Sequence, residues 1–168
     1  MTVAAEILAR IKISQSGSND FGGPEFTPVL ETLIQLTDGT TVGKANIAFA
    51  DERTVASAAT DSLDLAGVLA DAFGQTIAAV EIVALMIINK PRAGTPVNTT
   101  DLTIGGGANG VFATAMPFVL KPGAVFLLAA GDAAGVKTVT PATADLLAIV
   151  NSSGAAAKYQ IAILARTA

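Results

Sequence analysis

An all-β fold, a jelly-roll-like β-sandwich with at most one short helix, is what this sequence predicts, and three observations carry the prediction. Turn residues punctuate the chain roughly every 8 to 12 residues, the spacing of sandwiches and barrels. Apolar residues recur with a period of two in several segments, which gathers them on one face of a pleated strand. Two further segments, 80–89 and 124–130, are apolar at both alternating positions, as expected of central strands or of strands that a neighbouring subunit covers.

Taken in order, Ile7, Ala9, Ile11 and Ile13 alternate with Glu6, Arg10, Lys12 and Ser14 and predict a first strand. Residues 14–28 are rich in Gly, Pro, Ser and Asn and read as a long non-regular stretch with Phe21 and Phe26 embedded in it. From Val29 to Ala50, Leu30, Ile34 and Leu36 lead to Asp38-Gly39, then Ile47 and Phe49 resume the alternation; this reads as a hairpin closed by a tight turn. A strand starts near Thr54. The one plausible helix spans Leu65 to Phe73, with Asp64 able to cap it and Gly74 able to end it. After a strand from Ile77, the segment 89–100 is a Pro-rich loop holding Lys90 and Arg92. Further strands start near Asp101, Val111, Ala124 and Val136. Leu147, Ile149 and Val150, the turn at 151–154, and Tyr159, Ile161 and Ile163 predict a closing hairpin. The economical architecture is a single sandwich domain over residues 1–168, with an extended N-terminal segment over residues 1–28.

Composition bounds the chemistry. The chain has 168 residues, 51% of them hydrophobic and 14% charged, and contains no His, Cys or Trp. Soluble domains carry charge on about 25% of residues, so the deficit predicts that apolar surface is buried between subunits, a homo-oligomer such as a trimer or pentamer. Without cysteine there is no disulfide and no thiolate zinc site. A net charge of −4 without a basic cluster predicts no nucleic-acid partner. The apolar runs 77–88 and 111–130 are too short or too interrupted for a bilayer, which needs roughly 20 residues, so no membrane partner is expected. Charged residues within 1–14 argue against a secretion signal.

Catalytic constellations are scarce. Nucleophilic catalysis would lack an imidazole base, and a cupin-type metal site would lack its histidines. Asn19-Asp20, Asp61 with Asp64, and Asp132 offer oxygen ligands for Ca²⁺ but sit in turn-like sequence, where turn chemistry accounts for them. Two of the 14 acids could in principle serve glycoside hydrolysis, yet the aromatic faces that hold sugars are few. Gly105-Gly106-Gly107 lacks the frame of a phosphate loop and reads as a strand connection. The expectation is therefore a non-enzyme with no catalytic, cofactor-binding or metal-ligating residues, and with Phe21, Phe26, Lys90 and Arg92 as candidate interface residues.

Arg53-Thr54, then Asp64-Leu65-Ala66-Gly67 followed by Leu69, Asp71 and Gly74, then Asp101-Leu102-Thr103, Pro122-Gly123, Thr143, Asp145-Leu146 and 151–154 form a pattern over roughly Arg53 to the C-terminus. It resembles small virion proteins of tailed bacteriophages, of the capsid decoration or head-fibre and spike-base type. The resemblance implies a β-sandwich on the capsid surface of a virion, a major capsid protein or other virion proteins as partners, no cofactor, and no catalytic position to carry over. The alternative on the same architecture is a carbohydrate-binding module serving host attachment.

Overall fold

Period-two alternation becomes strand wherever the sequence carries it. The computed structural model describes residues 2–90, 98–116, 118–152 and 154–168. Its strands are β1 Ala5–Lys12, β2 Gln15–Ser16, β3 Glu25–Phe26, β4 Val29–Asp38, β5 Lys44–Ala45, β6 Ile47–Val55, β7 Ala59–Asp64, β8 Glu81–Asn89, β9 Thr103–Ile104, β10 Val125–Ala129, β11 Lys137–Thr138, β12 Leu146–Asn151 and β13 Ala157–Arg166. The chain is all-β, and no helix occurs among the described residues.

One sheet runs β10-β8-β13-β6, with β11 also pairing β8; a second runs β7-β12-β9. The two enclose the main core, as in a β-sandwich. Phe49, Leu85, Ile87, Tyr159, Ile161 and Ile163 enter it from the first sheet, and Leu63, Ile104, Leu147 and Ile149 from the second. Each such side chain stabilises by roughly 1.5–3 kcal/mol when fully buried, an upper figure because real unfolded chains are partly collapsed. In β13 the alternation is plain: Tyr159, Ile161 and Ile163 are buried while Gln160 and Ala162 are exposed.

Several expected pairings are corrected. The stretch from Val29 to Ala50 is not a hairpin: β4 pairs antiparallel with β1, meets β5 only through a short parallel step, and β6 pairs with β13. Nor do β12 and β13 form one: consecutive in the chain, they lie in different sheets, β12 pairing β7 and β9 while β13 pairs β6 and β8. Periodicity specifies a strand's face, not its neighbour. Segment 80–89 is the central strand expected, but β10 lies at a sheet edge with Val125 and Leu127 exposed.

The segment 65–73 forms turns in place of a helix. Asp64 accepts the backbone N–H of Ala66 through Oδ1, and Asp71 accepts those of Phe73 and Gln75, each at 2.9 Å. Such side-chain capping competes with helical hydrogen bonding. The Asx turn is also the role of Asn19, whose Oδ1 accepts the Phe21 N–H, and of Asp132, whose Oδ1 accepts that of Ala134. Gly105, Gly106 and Gly107 take φ of 84°, 84° and 86°, a left-handed run that only glycine adopts freely. At Gly105 an added Cβ would lie 2.8 Å from that of Phe112, so the loop is tightly packed.

Candidate interaction surface

The segment 14–28, expected to be irregular, is the outer part of a long antiparallel ribbon. Pairing is unbroken from Ala5 opposite Leu36 to Lys12 opposite Val29, and continues through Gln15 with Phe26 to Asn19 with Gly22. At the ~3.4 Å rise of a strand this arm is on the order of 45 Å long. Its tip is closed by Asn19 and Gly22, which exchange backbone hydrogen bonds at 3.2 and 3.3 Å.

Opposite residues share a face, so the register sorts the arm into a mainly apolar and a mainly polar face. The first carries Ala5 and Leu36, Ile7 and Ile34, Ala9 and Thr32, Ile11 and Leu30, Ile13 and Pro28, then Gln15 and Phe26. The other carries Glu6 and Gln35, Arg10 and Glu31, Lys12, Ser14, Thr27, Ser16 and Glu25, interrupted by Leu8, Leu33 and Val29. Arg10 and Glu31 form an ion pair of 3.2 Å on that polar face.

The root of the apolar face sits on the body. Val3, Ala5, Ile7, Ile34 and Leu36 pack with Ala45, Val83 and Leu164, on the outer face of the larger sheet. The register shift beside Leu164 and Ala165 lets Val83 face this outer cluster while Ile82 faces the main core. Beneath the root, buried Arg166 binds Glu81 through Nε and donates to the carbonyls of Thr41, Asp132 and Ala133, while Gly43 donates to the Gly131 carbonyl. Farther out the same face is bare: Ile11 is 61% exposed, Leu30 75% and Phe26 59%.

Beside the root, part of the outer face of the larger sheet is also uncovered. Ala50, Ala162, Met86 and Leu127 stand side by side across β6, β13, β8 and β10; in the next row Ala48 is exposed, whereas Leu164 packs on the root cluster and Ala84 is buried. With Ile7, Leu8 and Phe73 they line an open groove of about 550 Å³.

A second feature is charged. Arg53 on β6 grips Asp61 on β7 through Nε at 2.7 Å and Nη2 at 3.0 Å, and also meets Asp51; the Tyr159 hydroxyl donates to Asp61 at 2.8 Å. Burial pushes the Asp61 carboxyl up, but hydrogen bonds from Arg53 and Tyr159 outweigh it and leave it below the ordinary carboxylate range. Burial, then the bond to Asp61, raises the Tyr159 hydroxyl. Glu52 is held low by hydrogen bonds from Lys90 and then Lys158. These acids are neutralised by bases, and the cluster ties three strands from both sheets.

Of the expected interface residues, Phe21 is fully exposed at the arm tip and Phe26 lies on the arm's apolar face. Lys90 is placed elsewhere, paired with Glu52 at 2.7 Å. Arg92 lies outside the described residues. Sequence reading missed the union of Ile11, Ile13, Phe26 and Leu30 on one surface, although the alternation of each strand was there to be read.

Compared with known proteins, the chain matches no family model, no curated protein and no solved structure.

Proposed function

We propose that the protein is a non-enzymatic structural component of a virion, a capsid decoration protein or the base of a head fibre or spike, acting by self-association and docking on a capsid surface. The observation that carries this reading is the arm, which holds Ile11, Ile13, Phe26 and Leu30 exposed and, among the described residues, uncovered by their own chain. A charge-poor chain that projects such a surface gains attachment by summing modest apolar contacts over several copies. The tip, with Phe21, is then the part that reaches the shell.

The charged cluster supports the non-enzymatic side of the reading. Carboxylate hydrolysis needs a general acid whose pKa is raised, whereas Asp61 and Glu52 are both shifted down.

Static light scattering on the purified chain tests the first step: a defined oligomer, trimer or pentamer, is expected, and a monomer at all concentrations overturns the reading. For the second step, an antibody against the chain should label the outside of tailed phage particles released by the strain that encodes it. Unlabelled particles, or specific binding on a glycan array, would favour the host-attachment alternative.

A further inference from the structure

We infer that the outer half of the arm's apolar face seats on the larger sheet of a second copy, where Ile11, Ile13, Phe26 and Leu30 cover Ala48, Ala50, Met86, Leu127 and Ala162. This rests on self-association, part of the proposed function, and assigns the surfaces that produce it.

The occupant follows from continuity. Within one chain, the root of the arm already lies on this sheet face, with Ile7 and Ile34 beside Val83 and Leu164. The bare part of the sheet extends that seat, and the bare part of the arm extends the side chains that fill it. Both halves of one packing arrangement are present, and they do not meet. The arm cannot supply its own cover by folding back, because its register from Ala5 to Lys12 holds no bulge and its glycines begin only at Gly17. Strands bend sharply at such interruptions.

Chemistry fits the same occupant. The receiving row is paved with alanine and floored by Met86 and Leu127, a shallow surface that takes branched and aromatic side chains from above. Charge is complementary as well: Glu6 rims the receiving groove and Lys12 lies on the arriving arm, and neither has an ion-pair partner among the described residues. Both occupy the polar face of their arms. With each arm's apolar face down on the sheet, Glu6 and Lys12 of adjoining copies share the outward surface.

The absence of native cysteine makes the test direct. A tagged Ile13→Cys chain is mixed with an untagged Ala162→Cys chain and treated with a short bis-maleimide. The expected product is a tagged–untagged heterodimer, absent when Ser16→Cys on the polar face replaces Ile13→Cys. Self-association by light scattering without this product overturns the arm seat and leaves the oligomer standing. A monomer overturns both. An Ile13→Cys, Ala162→Cys double variant that cross-links only within one chain shows the arm closing on its own sheet, which also overturns the inference. Charge reversal gives a second readout: Glu6→Lys or Lys12→Glu alone should weaken association several-fold, and the two together should restore it.

Discussion

The arm and the sandwich are built from the same alternation, and they differ in what lies under the apolar side. In β13, Tyr159, Ile161 and Ile163 point into a core that the opposite sheet completes. In the arm, Ile11, Ile13 and Leu30 repeat the pattern with no second layer among the described residues. A strand's periodicity therefore announces that one face will be covered, without saying that the covering element belongs to the same chain.

The strongest way to break the sandwich without touching the outer arm is at Arg166. Arg166→Ala removes a buried guanidinium and strands Glu81 with three backbone carbonyls; the loss should be roughly 3–5 kcal/mol, read as a lowered midpoint in denaturant. The arm root should loosen with it, since Thr41, Asp132 and Ala133 are the other ends of those bonds. Gly105→Ala comes next. It forces a side chain into a left-handed conformation and against Phe112, at a cost of about 1–3 kcal/mol, measured by thermal unfolding.

Acid sharpens the contrast further. Asp61 binds its proton less tightly in the folded chain than in the unfolded one, so its contribution is complete above the ordinary carboxylate pKa of about 3.9 and is lost as the pH falls through the lower folded value. Asp61→Asn should flatten that acid limb of stability against pH, read as denaturant midpoints over the acid range.

In the outer arm the same measurements should barely respond. Leu30→Ser should change unfolding of the isolated chain by no more than about 0.5 kcal/mol, because the side chain is largely solvated, while weakening self-association. Replacing 17–25 by a tight turn should likewise keep the fold and, under the proposed virion role, lower capsid occupancy. The smallest effect is expected from pH near neutrality: with no histidine or cysteine, no side chain has an ordinary pKa between about 6 and 8, so association should be flat across that range.

Strand positions were largely legible. The alternations at 5–13, 29–36 and 157–163 and the two-sided apolar run at 80–89 all became strands, because side-chain periodicity is a local property. Partners were not legible. Val55 meets Ala157, and Lys90 meets Glu52, across stretches of sequence that no window spans. The outer arm was hidden for another reason: Gly17, Gly22, Gly23, Pro24 and the serines have weak β propensity, and composition alone made 14–28 resemble a loop. Pairing in the register of β1 and β4 nonetheless carries Gln15–Ser16 and Glu25–Phe26 into strand and bridges Asn19 to Gly22, while Gly17, Gly23 and Pro24 stay outside regular strand. At 65–73 the helical spacing was real, but Asp64 and Asp71 offered the backbone nearer hydrogen-bond partners.

The uninterrupted zipper of β1 on β4 has a consequence for biosynthesis. Its two strands are joined through the 13–28 extension that continues the same ribbon, whereas β6 must wait for β13, which follows only after β7 to β12 have been translated. Local pairing of this kind precedes distant pairing, so the ribbon closes on the ribosome before its own sheet exists. A lone two-stranded hairpin is only marginally stable in water. If the arm seats as inferred, finished molecules near the polysome hold the first surface on which a nascent ribbon can come to rest, and assembly then begins before translation ends.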